Sequence, residues 1–153
     1  MTHTGVLHMQ RADASDAPAL TDLANRAYRD WIDVIGSKPQ PMGADYDDLI
    51  NKDEVWLTGP RDRLKGSLVL RQEADHLLLW SIAVAPGTQG TGLGNRLLDF
   101  TLERARNLSF SEVRLFTNVK MQSNRDWYAR KGFCETERKM IGTKHVVLMT
   151  RSV

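Results

Sequence analysis

The apolar run Leu77-Leu78-Leu79-Trp80-Ser81-Ile82-Ala83-Val84 leads into Gln89-Gly90-Thr91-Gly92-Leu93-Gly94, and that turn into a helical pattern from Asn95 to Asn107. No other stretch restricts the fold as strongly. The order is strand, glycine-rich turn, helix. A strand that is apolar nearly throughout belongs at the centre of a sheet covered on both faces. The turn delivers the chain to a helix N-terminus, where the first N–H groups have no intrahelical acceptor. Bare amides and the helix dipole together bind phosphate. Glycine lets a pyrophosphate approach the backbone without a side-chain clash. A phosphate-bearing ligand is the expectation here, and a plain ligand-free turn is the competing reading.

Two common fingerprints fail on spacing. A dinucleotide turn needs G-x-G-x-x-G. Counted from Gly90 the third glycine falls on Asn95, and counted from Gly92 it falls on Leu97. A P-loop needs G-x-x-x-x-G-K-[ST]. Gly87 and Gly92 have that spacing, but Leu93 stands where lysine belongs. Any pyrophosphate held here would be held through amides alone.

The 153 residues match one ordinary domain, and 41% apolar content supplies a core. The net charge of +2, without a polybasic run, argues against bulk binding to nucleic acid. Cys134 is the single cysteine, so no disulfide forms within the chain, and a reducing cytoplasmic setting is expected. Residues Met1 to Arg11 are broken by His3, His8 and Gln10 and do not read as a signal peptide. No stretch is long and apolar enough to span a bilayer. His3, His8, His76 and His145 lack metal-ligand spacing.

Val6 to Gln10 reads as a first strand. Asp13-Ala14-Ser15-Asp16-Ala17-Pro18 reads as a helix start, with the helix continuing to Trp31 and stopping at Gly36. Ser37 to Gly43 is a loop and Tyr46 to Asn51 a helical turn or two. Strands are predicted at Glu54–Thr58, Gly66–Arg71, Leu77–Val84, Val113–Thr117 and Val146–Met149. Asn124 to Lys131 is predicted helical, with Gly132 as its stop. The chain is one mixed α/β domain, residues 1–153, without repeats or linkers.

A second constellation follows Phe116. Asn124 and Tyr128 are four apart and share one helix face. A carboxamide and a phenol there can orient an amide-bearing ligand and donate a hydrogen bond; plain core aromatics are the alternative. Taken together, Val84-Ala85-Pro86, Gln89-x-x-Gly92-x-Gly94 and Asn124-x-x-x-Tyr128-x-x-x-Gly132-Phe133 resemble the GNAT superfamily of acyl-CoA-dependent N-acetyltransferases. The resemblance is best over residues 77 to 133. It implies a twisted, splayed mixed sheet of six or seven strands with about four helices, and acetyl-CoA or coenzyme A in the cleft.

On that resemblance the backbone of Ile82, Ala83 and Val84 would meet the pantetheine arm, and Gln89, Gly90, Thr91, Gly92, Leu93 and Gly94 the pyrophosphate. Asn124 would face the pantetheine, Arg130 and Lys131 would reach the phosphates, and Tyr128 would serve the departing thiolate as acid or hydrogen-bond donor. Leu78 and Trp80 occupy the positions where many relatives carry a base, so none is named. Glu73, Asp75, His76 and Asp30 are remote candidates. Tyr28, Trp31, Met42, Tyr46 and Trp80 would wall the acceptor pocket, which suits an apolar or cationic group.

The expected acceptor is a small-molecule or amino-acid-like amine; neither nucleic acid nor membrane is expected as a partner, and the protein would be a monomer or homodimer. A catalytically silent acetyl-CoA sensor on the same fold is the alternative, and a nucleotide-binding α/β protein a more distant one. Cys134 is expected as a buried structural thiol.

Overall fold

The glycine turn and its strand sit at the middle of a seven-stranded sheet in the computed structural model, which describes residues 7–88 and 90–153. Val6 and Gln89, both named above, lie outside the described residues. The strands are β1 (Gln10–Arg11), β2 (Glu54–Thr58), β3 (Gly66–Gln72), β4 (Leu77–Val84), β5 (Glu112–Asn118), β6 (Cys134–Ile141) and β7 (Lys144–Ser152). Their order is β1-β2-β3-β4-β5-β7-β6. Among the described residues β4 and β5 are the one parallel pair. The helices are α1 (Ala17–Tyr28), α2 (Trp31–Ile35), α3 (Tyr46–Lys52), α4 (Leu93–Asn107) and α5 (Gln122–Arg130). The result is the mixed α/β fold that was expected, with five helices, two of them short. Among the described residues, no helix is long and apolar enough to cross a membrane.

Each face of the sheet has its own core. On one, Leu97, Leu98, Leu102 and Ala105 of α4 press on Leu68, Leu77, Leu79, Val113 and Leu115, with Tyr128 and Phe133 closing the cluster. On the other, Leu20, Leu23 and Ala24 of α1 and Leu49 of α3 cover Val55, Leu57, Val69 and Ala83. This double cover is why β4 reads as a continuous apolar run.

The β3–β4 register slips once. Val69 pairs with Ser81 but Leu70 pairs with Leu79, so Trp80 is an extra residue on β4. A bulge of this kind bends its strand and reverses the side-chain alternation. Leu77 and Leu79 face the α4 side before it, and Ile82 and Val84 pack there after it, while Trp80 and Ala83 turn to the α1 side. Pairing of β4 with β5 covers only Leu77–Val113, Leu78–Arg114 and Leu79–Leu115. It stops where the bulge begins, and beyond it the two strands are no longer paired.

Three expectations need correction. The first helix breaks after Tyr28, where Ile32 N bonds Arg29 O in a tight i→i+3 turn at 3.2 Å. Gly36 ends α2 in the left-handed conformation. β6 was missed because it is an edge strand exposed at every residue, so no apolar alternation marks it. Cys134 opens that strand and is exposed, not buried, because among the described residues no element packs over β6 there.

A charged network ties the β1 side of the sheet together. The buried Glu54 carboxylate accepts Arg104 Nε and Nη2 at 2.8 and 2.9 Å, Trp56 Nε1 at 2.9 Å and Gln72 Nε2 at 2.7 Å. β2, β3 and α4 thus meet on one group. Desolvation alone would raise its pKa. The donors from Arg104, Trp56 and Gln72 and the arginine charge more than offset this and hold it at about 2. A carboxyl with a depressed folded pKa contributes stability above its unfolded pKa and loses it as pH falls through the folded value. Glu54→Gln is expected to lower the unfolding free energy by about 2–3 kcal/mol at pH 7, since it leaves Arg104 uncompensated. The gap to the parent should narrow as pH falls from about 5 toward 2. Urea denaturation of both proteins across that range checks it; a pH-independent gap would contradict the assignment.

Candidate active site

Where β4 and β5 part, the sheet opens into a cavity of about 550 Å³, a size that suits a small-molecule or cofactor site. Its walls include Leu78, Trp80, Ser81 and Ile82 from β4, Phe116, Thr117 and Asn118 from β5, and Asn124 and Tyr128 from α5. The loop around Pro39–Pro41 and the β6–β7 turn at Gly142-Thr143 close one end.

Splaying two strands strands their backbone groups, and one side chain from α1 answers this. The Tyr28 hydroxyl donates to Ile82 O and lies 3.4 Å from Ser81 Oγ. Ile82, expected to meet a ligand through its backbone, therefore already has one carbonyl contact inside the protein. Ala83 is buried against the α1 side, and Val84 packs toward Gly94.

The glycine turn lies next to this opening. Gly90 and Gly92 have φ of +85° and +84°, and a Cβ at either would meet nothing within 4 Å. Gly92 caps α4 without help from any side chain. Among the described residues the amides of Gly90, Gly92, Leu93 and Gly94 meet no acceptor. The Thr91 amide turns inward instead, to Thr88 O at 3.3 Å. An open row of amides at the start of a 15-residue helix is an anion cradle with the dipole behind it.

α5 is held against that cradle. Trp127 Nε1 donates to Asn95 Oδ1 at 3.0 Å, and the indole would lie 3.7 Å from a Cβ on Gly94. Lys131, four residues after Trp127, shares its helix face. Arg130 is exposed and Lys131 half-buried, and neither has an ion-pair partner among the described residues.

Tyr128 meets Trp127 at a tilt and Phe133 edge-on, with ring centroids 4.9 and 5.6 Å away. It is buried, lines the cavity, and has no protein hydrogen-bond partner for its hydroxyl among the described residues. The Asn124 carboxamide is equally without one. Burial pushes the Tyr28 and Tyr128 phenols above the ordinary tyrosine value, so both stay protonated at neutral pH.

The sequence-named residues divide. Tyr28 and Trp80 line the cavity; Trp31, Met42 and Tyr46 do not. Tyr46 is buried beneath α1 and donates to Pro41 O at 3.1 Å. Ser81, Met121 and the segment Ile141–Lys144 line the cavity without having been named. Ser81 lies inside the apolar run as its one hydroxyl, a signal that could have been read. No Asp, Glu or His lines the cavity among the described residues, and Glu73, Asp75, His76 and Asp30 all lie outside its walls.

The acetyltransferase (GNAT) family model matches residues 17–133, more than half of the chain. No curated protein sequence matches significantly. Solved structures do. PaiA N-acetyltransferase from Thermoplasma acidophilum, in complex with coenzyme A, is 13% identical, with 97% of this chain and 100% of that chain covered and a TM-score of 0.79. A GNAT family acetyltransferase from Elizabethkingia anophelis with acetyl-CoA bound is 19% identical over 96% and 98% of the two chains, with a TM-score of 0.72. An acetyltransferase from Bacillus subtilis in complex with CoA is 18% identical over 97% and 99%, also at 0.72. At these identities the likeness shows the fold, and it is the matched family model, spanning both motif regions, that shows the chain to be a member of the GNAT acetyltransferase family.

Proposed function

We propose that the protein moves an acetyl group from acetyl-CoA to a primary amine by direct attack, with Tyr128 as hydrogen-bond donor to the leaving thiolate. The observation that carries this is one juxtaposition: an unpartnered, protonated Tyr128 hydroxyl in a strand-splay cavity beside an open amide cradle. Coenzyme-bound relatives of the same fold support it.

The residues present fit the coenzyme. The amides of Gly90 and Gly92 to Gly94 would hold the pyrophosphate, with Arg130 and Lys131 in reach of further phosphate charge. Asn124 can orient an amide of the pantetheine arm. Acetyl-CoA supplies the activated acyl group: a C–N bond forms, the C–S bond breaks, the thiolate leaves with the electron pair, and the amine gives up one proton.

The chain's own contribution is positional and electrostatic. Tyr128 cannot easily ionise in its buried setting, and a thiolate of pKa about 8.5 is a weaker base than a phenolate of about 10. Full proton transfer from the phenol runs uphill, so its role is a hydrogen bond that strengthens as charge develops on sulfur. An alkylammonium has a pKa of about 10.4, and its neutral fraction at pH 7 is about one in a thousand, a cost of roughly 4–5 kcal/mol. Among the described residues no acid or imidazole lines the cavity to take that proton. Desolvation of the ammonium lowers its pKa instead, and water carries the proton away.

The same missing base favours one second reading, a silent acetyl-CoA sensor. Thiol release with any amine discriminates the two.

Two outcomes test the proposal. Tyr128→Phe should lower kcat by about 10²-fold, the usual scale for one lost donor to developing charge, and leave acetyl-CoA affinity within about threefold. An unchanged kcat removes the assignment. Calorimetric titration should give micromolar binding of acetyl-CoA and none of ATP or NAD. Gly92→Val, forced into a left-handed backbone, should weaken that binding about tenfold or more; equal binding of all three nucleotides would overturn the cofactor reading.

A further inference from the structure

The charges around the cavity are one-sided. Arg71 and Lys144 are the charged residues that line it among the described residues. They differ in how they are served. Arg71 Nε and Nη2 donate to the two carboxylate oxygens of Asp53 at 3.0 and 2.9 Å, so its charge is already matched. Lys144 has no carboxylate partner among the described residues. Its ammonium donates to the carbonyl of Lys38, and a lysine ammonium has three donors. Lys139 adds a second positive charge behind the wall, 4.8 Å from the centroid of the Phe116 ring.

Lys144 is placed by local structure. It begins β7 directly after the two-residue turn Gly142-Thr143, and it pairs with Ile141 across the hairpin. Gly142 has a φ of +61°, as such tight hairpin turns require. The hairpin thus brings the ammonium to the loop that follows α2, at one end of the cavity. The amide cradle of α4 approaches from the α5 side, where Trp127 holds it. Lys144 thus contacts a different element, the loop at Lys38, from the one that packs on the cradle.

Among the described residues an acceptor carrying only an ammonium finds no counter-ion in this cavity, and the unmatched Lys144 repels it. An acceptor that also carries a carboxylate removes that conflict. Its carboxylate meets the two free donors of Lys144, and its apolar remainder lies on Trp80, Ile35 and Phe116.

Resting on the transferase reading above, we infer that the acceptor is an amino carboxylate, an α-amino acid or a close relative, and that Lys144 recognises its carboxylate. Transfer then forms an N-acyl amino acid: the amine nitrogen bonds the acetyl carbon, the C–S bond breaks, and the amine proton leaves to water or thiolate.

The test compares apolar α-amino acids with the amines that differ only by lacking the carboxylate, for example phenylalanine against phenethylamine and leucine against isopentylamine. Thiol release gives kcat/KM for each. The parent protein should prefer the amino acid by about tenfold or more, the scale of a hydrogen bond to a charged group. Lys144→Met should abolish the preference by slowing the amino acids alone, Lys144→Glu should reverse it, and Lys144→Arg should keep it. All three variants should bind acetyl-CoA as the parent does. Equal or better turnover of the plain amines by the parent overturns the inference, as does a ratio that Lys144→Met and Lys144→Glu leave unmoved. Thiol release with neither series, acetyl-CoA binding being intact, overturns it too and leaves the coenzyme site standing. Absence of acetyl-CoA binding overturns the transferase reading itself.

Discussion

The parting of β4 and β5 organises everything else. Three residue pairs hold the two strands together, and the extra residue at Trp80 ends that pairing. A sheet interior normally leaves no room for a ligand, because adjacent strands sit about 4.8 Å apart. Here the bulge converts the centre of a sheet into a binding site without breaking the hydrophobic cover on either face. The cost is exposed backbone polarity, and Tyr28 meets part of it at Ile82 O. Reversal of the alternation also decides which residues face the opening, so Trp80 lines it while Leu77 remains in the core.

Much of this was legible in the residues. β2 and β4 have the boundaries their composition suggested, since β-branched and aromatic runs bounded by polar turns are strong strand signals. Gly36 and Gly132 both adopt the positive φ that marks them as stops. What escaped has physical causes. The bulge leaves no trace in a run that is apolar on both faces. β6 carries no alternation because neither of its faces is buried. Trp31, Met42 and Tyr46 were expected as pocket walls from the family resemblance, which assigns the acceptor pocket to the first helices and their loop; the break after Tyr28 sets Trp31 on a separate short helix, and Tyr46 is buried in the core under α1. Lys144 is more than fifty residues from the apolar run and reaches the cavity through a hairpin whose first strand could not be seen.

Charge is distributed with similar economy. The buried acids Asp16 and Glu54 lie on the helix-start and β1 sides and are matched by Arg61 and Arg104. Asp53 matches the charge of Arg71, which lines the opening. Among the described residues the cavity then presents hydroxyls, carboxamides and the unmatched ammonium of Lys144. That leaves a polarity pattern able to select between ligands by sign of charge, not by shape alone.

The uncovered β6 has a bearing on self-association. Among the described residues it is paired on one side only, which leaves an outer backbone edge of the kind that an extended chain can join. Four of its eight residues are charged, Glu135, Glu137, Arg138 and Lys139, with both signs present. An incoming strand would have to oppose each with its complement, a demand that a random aggregation-prone segment rarely meets. The last two positions, Met140 and Ile141, lack that protection and are exposed at 49% and 40%. The edge is therefore guarded along most of its length and sticky at the tip nearest the cavity mouth.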